Sequence, residues 1–527
     1  MTIITHKGKV RNGAVTPMFI SKWDTTQAGS ANDTVVLPLV SDGGYDFFVD
    51  WGDGNRDNIT AYDQSEVTHQ YSSTGIYEIK IYGGITGWQF NGAGDDDKIT
   101  EISKWGSLKF KSNDNSLFNG CSNLVLTATD SLTLGASNAV NMFYNCLNLG
   151  SEGNMNSWDT SSVTNFTNIF KGNNATFDQD LSNWDMSSAT SMASMFDGWS
   201  QGHDFNNGGS TGINNWDTSN VTDMNRVFQV CKKFNQPIGN WNTSKVTRMD
   251  YMLYNNTGFN HPIGNWDVGK VTNFHNFLGS STAFDQDLSN WNVSSVTNMA
   301  GMFGSTNFNN GGQTGIGNWD TSGVTNMSSM FSRTPFNQPI GNWDTSSCTT
   351  MAYMFNNNNG SSSGQFDQNI GSWDVSNVTR MDRMFDGWTQ GHRFNNGGSS
   401  SISGWDTSNV TNMNRVFQVC PLFNQPIGYW NTSKVTNIDY MLYGCTIFDQ
   451  DLSNWVVTGI TSASSFMSAT NISTANYDRI LSGWSSQSVQ NGVNINFGGS
   501  QYSTATGLAY RNALVASGWT ITDGGAV

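Results

Sequence analysis

The sequence FNQPIGNWDTSSCTTMAYMF, residues 336–355, contains the pattern that decides the fold of this chain. The pattern recurs about every 25 residues along most of the chain, each time around one tryptophan. One copy is too short to bury a core of its own, but stacked copies can bury a continuous one. The period therefore predicts a solenoid of about 12 coils, whose tryptophans are Trp158, Trp184, Trp216, Trp241, Trp266, Trp291, Trp319, Trp343, Trp373, Trp405, Trp430 and Trp455.

The positions inside one copy predict how a coil is built. Trp343, Met351 and Met354 are apolar, and we expect each to lie on its equivalent in the next coil. Short strands are predicted over residues 340–343 and 324–327, where β-forming residues concentrate. The M-x-x-M-F tail predicts one helical turn, because residues three or four apart share a face of a helix.

A different kind of sequence precedes the repeats. Residues 46–54 read DFFVDWGDG and residues 68–82 read THQYSSTGIYEIKIY, which indicates strands around a tight glycine turn. The predicted core of this segment consists of Phe48, Trp51, Tyr71, Tyr77 and Ile79.

The composition changes again after the last copy. Short helices are predicted over residues 476–484 and 508–517, and short strands over residues 493–497 and 519–522. Such a segment is expected to cap the array, because the last coil would otherwise expose an apolar edge and unpaired backbone groups.

The W-[DN]-T-S-x-V-T-x-M-x-x-M-F copies between residue 115 and about residue 469 resemble those of BspA-like leucine-rich-repeat surface proteins. That resemblance implies a leucine-rich-repeat-like solenoid and a role in adhesion and surface display. The WGDG turn with the following H-x-Y-x-x-x-G-x-Y-x-[IV] pattern is similar to a PKD-type module. The predicted fold is mainly β: a β-sandwich over 1–107, a repeat solenoid over 108–469 that starts with two degenerate coils, and a small α+β cap over 470–527.

The composition excludes several classes of protein. The formal net charge is −16, and an acidic chain repels phosphate backbones, so no nucleic-acid partner is expected. No apolar stretch approaches the roughly 18 residues of a membrane span, so no membrane insertion is expected. Six cysteines without a CxxC pair are too few for a disulfide framework. A column of buried free thiols is the favoured state of these cysteines, and disulfides between adjacent coils are the alternative.

The residues that catalysis requires are scarce. Glutamate occurs only at positions 66, 78, 101 and 152, and the six histidines show no metal-binding spacing. We therefore expect that the protein is not an enzyme. A carbohydrate-active enzyme with inward-facing aspartate pairs is the third alternative for the function.

Aspartates follow most of the repeat tryptophans, as Asp344 follows Trp343. The Asp-x-Ser pattern favours Asx turns over bridging calcium ions, and no cofactor is expected. Calcium is the alternative, both for this ladder and for four carboxylates near the start of the chain, namely Asp50, Asp53, Asp95 and Asp97.

Candidate binding residues lie where the period is interrupted. Several copies carry an NNGG insert, and two also carry GWSQGH from Gly198 or GWTQGH from Gly387. Loops tolerate insertions and often carry binding groups, and an exposed tryptophan can stack on a sugar or anchor a protein. The predicted binding residues are Trp199, His203, Trp388 and His392. The alternative is that each tryptophan folds back over its own loop.

These observations predict a non-enzymatic adhesion or recognition protein that binds a surface glycan or protein. The alternative is a structural spacer or a lattice, fibre or decoration protein that associates with itself or with virion neighbours. The expected location is extracellular or on a cell surface, with a virion surface as the alternative. The segment 1–20 lacks the basic-then-apolar order of a secretion signal, which favours the virion slightly.

Overall fold

The computed structural model describes residues 18–106, 108, 115–134, 138–173, 177–199, 202–357, 364–388 and 390–527. These residues are mainly in short strands, bridges and turns, with few helices. The chain divides into two compact units, Met1–Trp241 and Asn242–Val527.

The first unit begins with a sheet of six strands. Its order is β4-β3-β6-β1-β7-β8, and β2 pairs with β5 in a separate two-stranded sheet. The pairs are antiparallel except for β7 with β8, which is parallel. The bounds are β1 Met18–Asp24, β2 Thr34–Val36, β3 Leu39–Asp50, β4 Arg56–Ile59, β5 Thr68–Gln70, β6 Ile76–Trp88, β7 Ile99–Lys104 and β8 Val125–Leu126.

The predicted strands around the WGDG turn are confirmed, because Asp50 of β3 pairs with Arg56 of β4 across it. Trp51 is fully buried, but Phe48 is 37% exposed, so its predicted place in the core is wrong. Side chains alternate along a strand, and Phe47 and Val49 occupy the buried side instead. The prediction was thus wrong by one residue, which put Phe48 on the buried side of β3 in place of Phe47.

Within each unit, equivalent residues of successive copies are joined by parallel bridges. In the second unit the chain of bridges includes Asn298 with Asn326, Asn326 with Thr350, and Thr350 with Arg380. The bridging residue is the one that precedes the first Met of the tail, so the predicted strand over 324–327 is reduced to one bridged residue. No strand occupies 340–343, where the chain turns instead.

Several neighbouring tryptophans stack within each unit, as the period predicts. The Trp343 ring lies 6.2 Å from that of Trp319 and 6.4 Å from that of Trp373, and each pair is parallel to within 2°. Most indoles of the row also satisfy their N–H group, as Trp343 does by donating to the carbonyl of Ile316 at 2.9 Å. The buried Nε1 atom of Trp158 is an exception, because it has no hydrogen-bond partner. At Trp343, stacking thus buries a large apolar ring without leaving its polar atom unpaired.

The M-x-x-M-F tail forms no helical turn, contrary to the prediction. Its second x residue has a positive φ, for example 62° at Tyr353 and 58° at Arg383. The turn closes between the two Met residues, where Met384 donates its N–H to Met381 at 3.1 Å. A left-handed residue reverses the chain, which a helix cannot do.

This turn position forms a row that we call the turn column. In the second unit the N–H of each member from Tyr251 to Tyr440 bonds to the next coil, as that of Arg383 does to the carbonyl of Asn414 at 2.8 Å. The members in that unit are Tyr251, Asn276, Gly301, Ser329, Tyr353, Arg383, Arg415, Tyr440 and Ser465.

The repeats also contain short 3-10 helices, several of them at the NNGG inserts. Asn310 of one insert is fully buried, and its side chain accepts the N–H of Leu288 at 2.8 Å. The bounds of the 3-10 helices are Ser65–Val67, Met155–Ser157, Asn207–Gly209, Gly212–Asn215, Asn310–Gly312, Thr314–Asn318, Asn396–Gly398, Ser400–Gly404 and Ile427–Tyr429.

The second unit ends in the predicted mixture of helices and strands. Trp484 of the first helix continues the tryptophan row, 6.5 Å from Trp455. The last two strands pair in parallel. The elements are α1 Thr474–Ser485, β9 Asn494–Asn496, α2 Gly507–Ala516 and β10 Thr520–Thr522. No helix in the described part of the chain has the length and hydropathy of a membrane span.

Candidate functional site

Each of the two GW inserts begins with a turn that holds its tryptophan outward. Asp386 accepts the N–H of Trp388 at 2.9 Å, and Asp197 accepts that of Trp199 at 3.0 Å. Both carboxyl groups are fully buried. The residue between Asp386 and Trp388 is Gly387, where any Cβ would collide with the backbone of the following turn. The backbone therefore fixes where each tryptophan leaves the core.

Both tryptophans are exposed, Trp199 by 62% and Trp388 by 42%. The Arg415 guanidinium lies 4.5 Å from the Trp388 ring centre and 4.4 Å from that of Tyr440. In the first unit Arg226 lies 5.6 Å from the ring of Trp199. These are cation–π distances, so an arginine supports each ring from one side. The exposed part of each ring stays accessible to a ligand.

The two histidines of the inserts point inward, which corrects the prediction that they lie outside the core. His203 is 0% and His392 is 1% exposed. The Nδ1 atom of His392 accepts the N–H of Phe394 at 3.2 Å, so its Nε2 carries the proton and donates to the carbonyl of Phe355 at 3.0 Å. Burial lowers the pKa of each histidine to about 4. Both imidazoles therefore lie inside the protein, where that of His392 anchors its loop.

The buried aspartates at the bases of the loops are also perturbed. Burial raises the pKa of Asp386, and the cations of Arg383 and Arg415 oppose the rise. Burial likewise raises the pKa of Asp197, whose carboxylate pairs with Lys171 at 3.2 Å. Loss of solvation thus dominates over the nearby positive charge in both places.

A groove lies along the turn column of the second unit. Its volume is about 330 Å³, and it is lined by hydroxyl, amide, backbone, aromatic and guanidinium groups. Small residues at the column positions, such as Gly301 and Ser329, are part of this lining. Tyr254, Tyr353 and Arg383 supply its large side chains. The guanidinium of Arg383 lies 5.3 Å from the ring centre of Tyr353.

Sequence reasoning missed the arginines and tyrosines of this surface. The second x of the M-x-x-M-F tail is the position of four of them, namely Tyr353, Arg383, Arg415 and Tyr440. The signal was available, because an alignment of the copies places these large polar residues in one repeat position. The helical turn that the sequence predicts for the tail gives this position no special role, and so hides the signal.

The calcium candidates near the start of the chain already have partners. Asp95 is buried and accepts the N–H groups of Ser30 and Val36 at 2.6 and 2.7 Å. The ammonium group of Lys98 lies 3.6 Å from this carboxylate and donates to backbone oxygens of the same loop, including that of Thr34 at 2.8 Å. A lysine thus supplies the positive charge that a bound ion would bring.

The other three candidates are engaged as well. Asp50 accepts from Arg56 at 3.0 Å, Asp53 from His69 at 2.9 Å, and Asp97 from the hydroxyl of Ser122. The described residues contain no group of three or more His, Cys, Asp or Glu side chains placed to hold a metal.

The aspartates after the tryptophans form Asx turns. Asp344 accepts both the N–H and the hydroxyl of Ser346, at 3.0 and 2.6 Å. The same N–H bond recurs from Ser322 to Asp320 at 3.1 Å. These hydrogen bonds lower the pKa of Asp344. A turn therefore accounts for this ladder of carboxylates.

Comparison with known proteins identifies the repeats. Four segments match one family model, described as "Mycoplasma protein of unknown function, DUF285", at residues 112–210, 199–314, 306–400 and 391–505. Together they cover well over half of the chain. No curated protein and no solved structure matches the chain significantly.

Proposed function

The chain belongs to this DUF285 family of tandem repeats, and we propose that it is a non-enzymatic adhesion or recognition protein. In this proposal it is displayed on a cell surface or a virion and binds a glycan or a protein there. The architecture that goes with it is a leucine-rich-repeat-like solenoid of the BspA type behind a PKD-like module. Parallel bridges and stacked indoles within each unit support the solenoid.

One observation carries the proposal: Trp388 is held outward from a buried turn and is supported by Arg415. A large exposed ring is favourable to ligand binding when it is already ordered, since little side-chain entropy is lost on contact. Trp199 repeats this arrangement in the first unit. Two ordered, exposed rings are typical of recognition surfaces.

The test is binding of the full chain to a glycan array and to extracts of surface proteins. Trp388→Ala and Trp199→Ala should each weaken the interaction with a retained ligand by about tenfold. Tyr429→Ala is the matched control, because Tyr429 is 78% exposed elsewhere in the second unit. Equal losses in all three variants would contradict a specific role of the tryptophans. Product release from a polysaccharide would contradict a non-enzymatic role.

A structural spacer or lattice protein is the second candidate, and the C-terminal end favours it. Four large apolar side chains are exposed there, namely Leu508, Tyr510, Val515 and Val527. Exposed apolar groups close together often mark contacts between proteins. The test is ordered self-assembly, measured by light scattering, in the parent and in Tyr510→Ser. Assembly that is lost in the variant, together with no retained ligand, would favour this candidate over recognition.

A further inference from the structure

The groove beside the turn column carries a more specific inference, which rests on the proposed recognition function. We propose that this groove binds an acidic polysaccharide, with a sugar carboxylate on the guanidinium of Arg383 and a sugar ring against Tyr353. The groove is distinct from the two GW loops that the sequence singled out.

The first argument is the state of Arg383. Among the described residues, none forms a hydrogen bond or an ion pair with its guanidinium, whose contact is the ring of Tyr353. The nearest acid on the same tail, Asp382, is instead held by Arg380 through two bonds of 3.0 Å. Arg383 therefore presents a set of donors that fits a carboxylate in a bidentate manner.

The second argument is that the guanidinium is not alone on this surface. Arg415 follows Arg383 in the turn column, and the two coils are joined by the bond from Arg383 to Asn414. Arg415 donates to Gln418 at 3.1 Å, while its buried Nε atom has no hydrogen-bond partner. Both cations act on the buried carboxyl group of Asp386. In a chain of net charge −16 this is a local concentration of positive charge.

The third argument is the shape and lining of the groove. Its column positions run from Asn276 through Gly301 and Ser329 to Arg383, which corresponds to a length of about 20 Å at the spacing of parallel strands. The hydroxyl groups of Ser280 and Ser305 and the amide group of Asn276 line it, and these match the hydroxyl groups of a sugar. A long polar trough suits a chain of sugars better than a compact ligand.

The aromatic lining completes the match to a saccharide. Tyr254 and Tyr353 line the groove, and their rings can stack on the apolar faces of sugars. An acidic peptide would also pair with Arg383. Its side chains vary in shape, however, and so match the groove less well than a chain of similar sugars.

The test is calorimetric titration of the full chain with oligomers of polygalacturonate. The same oligomers in methyl-esterified form keep the sugar backbone and remove the charge. The acid form should bind at least about tenfold more tightly, and Arg383→Asn should remove that preference. Asparagine suits the site, because Asn276 occupies the same column position with a φ of 50°.

Two controls separate a built site from general attraction. Arg479→Asn removes the same charge from α1 of the same unit and should leave the affinity unchanged. Tyr353→Asn, which suits the φ of 62° at this position, should weaken both forms of the oligomer, since the ring contact does not depend on charge. Equal affinity for both forms, equal losses in Arg383→Asn and Arg479→Asn, or tighter binding of dextran sulfate than of polygalacturonate would each overturn the inference.

The outcome also distinguishes this inference from the broader proposal. Retention of neutral glycans that depends on Trp388, without binding of polygalacturonate, would overturn the acidic groove and leave the recognition function standing. Absence of any retained glycan or protein would overturn both.

Discussion

The guanidinium of Arg415 contacts two aromatic rings, 4.5 Å from the centre of Trp388 and 4.4 Å from that of Tyr440. Trp388 comes from a GW insert, whereas Arg415 and Tyr440 come from the next two coils. The exposed ring of the insert is therefore ordered by residues that belong to the regular repeat. This contact places the exposed ring of the insert beside two members of the turn column.

Removal of this cation should loosen Trp388. The variant Arg415→Asn keeps a residue that suits a positive φ and deletes the guanidinium, which should cost about 1 kcal/mol of stability. Time-resolved fluorescence anisotropy of the indole should show faster local motion. Because the chain has many tryptophans, the signal of Trp388 is obtained as the difference between proteins with and without Trp388→Phe. This difference is measured once in the parent and once in Arg415→Asn. The same difference signal in both would contradict the support by Arg415.

Stability should fall in mild acid because of His203 and His392. Their pKa values are about 4 in the folded chain, below the usual 6.5, so the unfolded chain binds more protons between these values. The free energy of unfolding should therefore drop by about 1.4 kcal/mol per pH unit and per histidine as the pH falls from about 6.5 to 4.

The raised pKa values of Asp197 and Asp386 act in the opposite direction, since protonation of these buried groups favours the folded chain as the pH falls. Denaturant titrations at several pH values should thus be compared between the parent and His392→Phe. The variant should show the shallower fall in this window, whatever its absolute stability. The same slope in both proteins would mean that His392 does not remain neutral.

The buried pair of Lys98 and Asp95 should be important for the N-terminal sheet. Lys98→Met leaves a buried carboxylate without its cation, which should cost about 3 to 5 kcal/mol. Lys80→Met is the control, because Lys80 pairs with Glu78 in an exposed position and should change stability by at most about 1 kcal/mol. Thermal or chemical unfolding measures both. Similar melting of the two variants would contradict the structural role of Lys98.

The NNGG inserts should prove structural rather than ligand-binding. Asn310 is buried and links Leu288 of the preceding coil to the carbonyl of Gln313 in its own loop, at 2.8 and 2.7 Å. Asn310→Ala should cost about 1 to 3 kcal/mol, since it leaves these backbone groups unpaired. Gln313→Ala, on an exposed side chain of the same loop, should have little effect. Ligand binding should be unchanged in both.

The cysteines should be unreactive in the folded protein. All six are free and buried, and burial raises the pKa of Cys348 to about 11 and that of Cys445 to about 12. A thiol reagent at pH 8 should modify them only after addition of denaturant, because the thiolate is the reactive form. Rapid labelling of the native chain would show that a repeat opens readily.

Much of the fold follows from the sequence because every coil needs the same residue types at the same spacing in order to stack on its neighbours. The indole of Trp343 can be buried only against its equivalents, so the period was enough to predict the tryptophan row. The terminal helices and strands were also predicted, since α1 and α2 carry ordinary local signals. Phe48 was misplaced because a strand shifted by one residue keeps its pattern while its two sides exchange.

The candidate site was predicted only in part. The inserts identified Trp199 and Trp388 as residues outside the repeat pattern, and both are exposed. The same reasoning wrongly put His203 and His392 outside the core, because local sequence does not specify which side chain of an irregular loop turns inward.

The sequence by itself determined the repeat, the stacked apolar rows and the Asx turns, since each depends on residues at fixed spacing along the chain. Only the tertiary structure decided that Arg383 meets Tyr353 and that Arg415 meets Trp388. These partners lie on different coils, and the side chains meet because a left-handed residue turns each tail at the same place. Hydrogen bonds between coils then bring those turns together, at a distance that no local pattern encodes.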